Sequence, residues 1–128
     1  MSIAPIRPSD GELAILRVLW SQGPSTVRDV HTVLSRDRDM GYTTVLKLMQ
    51  IMVEKGLVGR DERERSHTYR PLQGEVETQR CLLKELLHKA FGGSRRDLVL
   101  QALESEPASS EELKDIRKML NEVKGRMK

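Results

Sequence analysis

In the stretch GYTTVLKLMQIMVEKGLV, Thr43, Lys47, Gln50 and Glu54 recur at three- and four-residue spacings, so a helix there carries them on one face. With Thr44 beside them, they make a set of short hydroxyls, an ammonium and a carboxamide. Such a set bonds to base edges and phosphate oxygens when a helix lies in the major groove of duplex DNA. Tyr42 stands at the entrance of that helix, where its hydroxyl reaches a phosphate or its ring simply packs. A second group follows in Arg60, Arg63, Arg65, His67 and Arg70. Arginines suit phosphates and narrow minor grooves. The interspersed Asp61, Glu62 and Glu64 leave open the plainer reading of a solvated charged hairpin.

Little else in the chain has the makings of chemistry. Cys81 is the only cysteine, which excludes an internal disulfide and any CxxC site. A redox role for it would need a lowered thiol pKa and an exposed sulfur. His31, His67 and His88 fall on different elements, and only Cys81 and His88 are spaced to share a helix face. No metal site and no cofactor are therefore expected. Gly-rich phosphate loops, carboxylate dyads and nucleophile–base pairs do not stand out, so the chain does not read as an enzyme.

The candidate groups need elements to hold them. On the inner side of the helix at residues 43–55, Val45, Leu48, Met49 and Met52 lie within about 60° of one direction on a helical wheel. Gly56 suits the left-handed position that ends a helix. The period then changes. Residues 57–62 and 66–70 read as two strands around a turn at Arg63-Glu64-Arg65. Upstream, Ser9 with Glu12 forms a capping box ahead of Leu13, Leu16, Val18, Leu19 and Trp20, and Gly23-Pro24 breaks that helix. Thr26 with Asp29 opens a second helix carrying Val27, Val30 and Leu34, which runs out in the polar residues 35–39. Three helices followed by a hairpin make a mainly α fold with a small β wing, a winged helix-turn-helix over residues 1–73.

Residues 74–128 read as a three-helix dimerisation domain. Beyond the Gln73-Gly74 link, a helix at residues 75–91 carries Val76, Leu83, Leu86, Leu87 and Ala90, and Gly92-Gly93 ends it. Ser94 with Asp97 opens a short helix with Leu98, Val99, Leu100 and Leu103. Ser109 with Glu112 opens the last, where Leu113, Ile116, Leu120, Val123 and Met127 repeat at helical spacing. Three short helices bury too little surface to stand alone, so a homodimer joined through Leu83, Leu86, Leu87, Leu113, Ile116 and Leu120 is expected. Packing on the winged part of the same chain is the alternative. Composition, with 38% hydrophobic and 32% charged residues, fits a soluble globular protein. No apolar leader precedes Pro8 and no segment could span a membrane, so a cytoplasmic location is expected. The net charge of +3 is divided almost evenly, with 11 basic and 9 acidic residues through Gly74 and 11 and 10 after it. Charge alone permits nucleic acid without arguing for it; the architecture carries the inference.

The ordered set LAILRVLW, VRDVHTVLS, YTTVLKLMQIMVEKGLV, HTYRPL and LLKELLHKAFGGSRRDLVLQAL resembles the penicillinase repressor family, bacterial winged-helix repressors that include methicillin-resistance and copper-transport repressors. The resemblance covers nearly the whole chain. It implies a homodimeric transcriptional repressor on a dyad-symmetric operator in double-stranded DNA, controlling antibiotic (β-lactam) or related stress-response genes. It also implies a sensor-linked protease as a partner, because antibiotic-sensing members are cut in the dimerisation region. The nearest counterpart of the cut bond here is Gln101–Ala102, in Leu98-Val99-Leu100-Gln101-Ala102. Copper-responsive members carry a cysteine-rich hook near the C-terminus, whereas this chain ends NEVKGRMK, so copper sensing of that kind is not expected. Two other readings remain: a winged-helix regulator released by a small molecule, for which 3% aromatic residues make a poor pocket, and a winged helix serving as a protein–protein module.

Overall fold

The computed structural model describes residues 6–127. The first five residues, which belong to the stretch before Pro8 read above for a leader, and Lys128 lie outside the described residues. Local signals set the first three helices. α1 (Asp10–Gln22) starts with a reciprocal box in which the Glu12 amide donates to the Ser9 hydroxyl (3.3 Å) and the Ser9 amide to the Glu12 carboxylate (2.8 Å). α2 (Val27–Leu34) repeats the device with Thr26 and Asp29, at 3.1 and 3.2 Å. α3 (Tyr42–Lys55) has Gly41 at its start and so no side-chain cap. It ends at Gly56, whose φ of 82° lets the amides of Gly56 and Leu57 bond back to Val53 and Met52, the Schellman pairing.

The chain then forms an antiparallel hairpin of β1 (Val58–Asp61) and β2 (Thr68–Pro71), with Gly59 opposite Arg70 and Arg60 opposite Tyr69. These strands are shorter than residues 57–62 and 66–70, and the connection spans residues 62–67 rather than a tight turn at Arg63-Glu64-Arg65. The wing's own charges account for this. Arg60 pairs with Glu62, and the Asp61 carboxylate turns to take both the backbone and the guanidinium of Arg63, so the ladder stops at the Asp61–Thr68 pair. Ser25, from the α1–α2 link, adds a one-residue bridge to the other edge of β2, exchanging hydrogen bonds of 3.1 and 2.8 Å with Tyr69.

The core gathers Ile15, Leu16 and Leu19 of α1, Val30 and Leu34 of α2, Val45, Met49 and Met52 of α3, and Leu57, Val58 and Tyr69 of the hairpin. Two expectations shift. Leu13 and Trp20, placed on the apolar face of α1, are only half-buried, while Ala14 and Ile15 are buried instead. Leu48 is half-buried as well, lying close over Gly11, where an added Cβ would come within 3.1 Å of it. A buried charge also appears: Glu12 is enclosed, and Lys55 at the end of α3 reaches both its oxygens at 3.0 and 2.9 Å. The box that starts α1 thereby ties α1 to the end of α3.

α4 (Glu75–Lys89) follows, then α5 (Arg95–Ser105) and α6 (Ser110–Arg126). α4 stops before the expected residue 91, because Gly92 and Gly93 at φ 57° and 86° turn the chain and Gly93 donates to the Leu87 carbonyl. Ser94 and Ser109 cap α5 and α6 by accepting the amides of Asp97 and Glu112. The two compact units of the chain meet within α4, between Lys84 and Glu85. The boundary read from sequence, at 73/74, marks the end of the hairpin region and the start of α4.

Candidate nucleic-acid interface

Because Val45, Met49 and Met52 point α3 into the core, the other side of the helix is left outside. Tyr42, Thr43, Thr44, Lys47 and Gln50 are all exposed there. The Tyr42 ring stands edge-on to His31 of α2, with centroids 5.7 Å apart at 81°. His31 in turn lies 3.1 Å from the Ser35 hydroxyl through Nε2.

The wing arginines fall into two kinds. Arg63 grips Asp61 through Nε and Nη2, with a shortest contact of 2.7 Å, and this hydrogen-bonded pairing brings the Asp61 carboxyl down to about 2. Arg60 is held above its ordinary value by the Tyr69 hydroxyl first and by Glu62. Arg70 lies across Gly59 on the opposite strand, so close that a Cβ there would meet its guanidinium at 3.1 Å. Arg65 and His67, in contrast, are exposed in the connection between the strands, and among the described residues neither has an ion-pair partner.

A hollow of about 470 Å³ lies between the start of α2, the start of α3 and the wing. Thr26, Arg28, Tyr42, Leu46, Arg65 and His67 are among its lining residues, and no lining residue is acidic. It brings Tyr42, Arg65 and His67 of the sequence-read set together and adds Arg28, which that reading missed. Nothing in the order of residues links Arg28 to the wing; the Ser25–Tyr69 bridge does so in space. A cationic hollow beside a polar helix face can seat a phosphodiester backbone while the helix meets the bases.

The remaining candidates lie further along the chain. Leu83, Leu86, Leu113 and Leu120 are exposed, and Leu87 and Ile116 half-buried. Gln101 and Ala102 are exposed within α5. Cys81 is a half-buried free thiol. Among the described residues no three His, Cys, Asp or Glu side chains gather as metal ligands, and no helix is long and apolar enough to cross a membrane.

Comparison with known proteins adds the family. The family model described as Penicillinase repressor matches residues 8–122. Transcriptional regulator BlaI of Mycobacterium tuberculosis is 35% identical over 119 residues, 91% of this chain and 85% of the relative. The Penicillinase repressor of Bacillus licheniformis is 25% identical over 94% of both chains, and the Methicillin resistance regulatory protein MecI of Staphylococcus aureus 22% identical over 88% and 92%. Among solved structures, the DNA-binding domain of the repressor BlaI matches with a TM-score of 0.51 at 23% identity, covering 60% of this chain and 93% of that one. The monomeric form of B. licheniformis BlaI in complex with the blaP half-operator matches equally well. These likenesses establish the winged-helix fold, and with the family model spanning nearly its whole length the chain belongs to the penicillinase repressor family.

Proposed function

We propose that this chain is a homodimeric transcriptional repressor that binds a dyad-symmetric operator in duplex DNA and acts in the cytoplasm. The observation that carries the reading is the exposed face of Thr43, Thr44, Lys47 and Gln50 on α3, bordered by a hollow with two arginines, a histidine and no acid. On this reading α3 enters the major groove and these four side chains meet base edges and nearby phosphates. Arg28, Arg65, His67 and Tyr42 hold the flanking backbone, with Arg60 and Arg63 elsewhere on the wing. The names of the relatives, a penicillinase repressor and a methicillin resistance regulatory protein, support β-lactam or related stress-response genes as targets. A chain with so small a net charge grips few phosphates alone, so pairing two copies raises affinity as well as reading the dyad. The exposed leucines of α4 and α6 supply an apolar surface for that pairing.

Release fits proteolysis at Gln101–Ala102 by a sensor-linked protease. α5 buries no residue, so unwinding it to fit a protease cleft breaks little beyond its own helical hydrogen bonds. Cutting there removes α6 from the dimer. In cells given a cell-wall antibiotic, an immunoblot is expected to show a fragment ending at Gln101; derepression with the protein intact would overturn this step. For the function itself, DNase footprinting of the DNA upstream of the protein's own gene is expected to give a protected dyad. Absence of any sequence-specific footprint on genomic fragments would favour a protein–protein module instead.

A further inference from the structure

The joint between the hairpin and α4 is built from polar groups. Gln73 and Thr78 are both buried, and Thr78 is the one buried residue of α4. The Gln73 carboxamide accepts the Ile6 amide (2.9 Å), and its Nε2 donates to the Ile6 carbonyl (3.1 Å) and to the Thr78 hydroxyl (2.7 Å). The Thr78 hydroxyl in turn donates to the Gly74 carbonyl (2.9 Å), and the Trp20 indole of α1 donates to the Gln73 carbonyl (2.9 Å). A Gln-Gly link would ordinarily act as a hinge, since Gly74 carries no Cβ and nothing approaches where one would be. Here the hinge is latched on both sides.

The type of latch matters. An apolar patch lets one element slide over another, whereas hydrogen bonds hold only over narrow ranges of distance and angle. α4 is attached to the winged unit by the directional kind, so its heading from that unit is fixed from its first turns. We propose that the Gln73–Thr78 latch is a positioning device that sets which separation of two operator half-sites the dimer accepts. This inference rests on the dimeric, DNA-binding reading above. α4 follows the hairpin of each winged unit and continues into the helices proposed to pair, so on this reading the angle at residues 73–78 bears on the distance between the two α3 helices. Gln73 and Thr78 thereby govern specificity without touching DNA.

The test uses the full chain and duplexes recovered by it from a randomised pool, each synthesised as one half-site, as the selected pair, and as pairs with one or two base pairs inserted. Each inserted pair rotates one half-site by about 34° around the helix axis. Wild type is expected to bind the selected pair well above the half-site and to lose at least about tenfold on a two-pair insertion, which is about 1.4 kcal/mol. Thr78→Val keeps the shape of the side chain and removes the hydroxyl. It should bind the half-site within about twofold of wild type yet lose less than about threefold on insertion. Gln73→Ala should behave likewise, and Thr78→Ser, which restores the hydroxyl, should recover the wild-type spacing preference. Variants that discriminate spacing as sharply as wild type would overturn the latch alone. A wild type that gains nothing from a second half-site would overturn the dimeric reading on which it rests.

Discussion

In α1 to α3, Ile15, Leu16, Val30, Val45, Met49 and Met52 have no exposed surface; in α5 and α6 no residue is buried, and Leu113 and Leu120 remain 46% and 59% exposed. Both regions repeat apolar residues at three- and four-residue spacing, and α1, α2, α5 and α6 all open on Ser or Thr caps. The pattern therefore marks which face of a helix is apolar and leaves unsaid where the surface that covers it comes from. In the winged unit the cover lies in the same chain. For the later helices a second copy is the proposed cover, and the same substitution placed in each region separates the two cases.

Leu19→Asp carries the largest expected effect. It places a carboxylate in the buried core cluster of the winged unit, at a cost of more than about 4 kcal/mol, a large share of the stability of a domain this size. Circular dichroism should show the winged unit unfolded or melting far lower. Leu113→Asp combined with Leu120→Asp should leave that unit's melt intact, while analytical ultracentrifugation reports monomer and operator affinity falls steeply. A double variant that stays dimeric would put the interface elsewhere and erase the contrast.

Glu12→Gln probes the one enclosed charge among the described residues of the winged unit. Burial pushes the Glu12 carboxyl up, but the Ser9 amide, the Lys55 ammonium and the Ser9 hydroxyl outweigh it and hold the group below its ordinary value of 4.5. A carboxylate depressed on folding stabilises the protein above its unfolded pKa and loses that contribution as pH falls through the folded one. The substitution should cost about 1–3 kcal/mol at neutral pH. The gap between wild type and variant should narrow only below pH 4.5; a gap constant down to pH 2 would show that the charge of Glu12 contributes nothing.

Much of this fold is legible in sequence because its signals are local. Ser9-Glu12, Thr26-Asp29 and Gly56 act within four residues of themselves, and the helices start and stop where they say. What sequence conceals depends on contacts distant along the chain. Glu12 reads as a cap, and nothing local shows that Lys55 will meet it 43 residues later. Gln73 reads as part of a short link, although it fastens Ile6, 67 residues away. Arg28 looks like any exposed helix residue until Ser25 pairs with Tyr69. At the wing, sequence groups five basic residues, and only geometry separates the tethered from the free.

The exposed polar face of α3 is the counterpart of the exposed apolar faces of α4 and α6, and it should respond in the opposite way. Lys47→Ala and Gln50→Ala are each expected to weaken operator binding by about 1–3 kcal/mol and to relax preference at particular base pairs. Sedimentation should show the dimer unchanged. Loss of dimer in either variant would mean that the two surfaces are not independent.

The smallest expected effect separates Arg63 from Arg65. Arg65 has no ion-pair partner among the described residues, so a phosphate it meets releases a counterion, and Arg65→Ala should flatten the dependence of log K on log salt by about 0.9. Arg63 is already spent on Asp61. To reach a phosphate it must leave a bidentate pair and expose a carboxylate beside the DNA, so Arg63→Ala should change the slope by much less. Mild acid does not loosen that pair: Asp61 titrates at about 2 rather than 3.8, and its pairing is lost only as pH falls through that range. The partner must therefore be removed by substitution. Asp61→Asn is expected to free Arg63, tighten binding and steepen the salt slope by about 0.9, an increment that Arg63→Ala should abolish in the same background. Equal slopes for Arg63→Ala and Arg65→Ala in the wild-type wing would show that the Asp61 pair opens on DNA and restrains nothing.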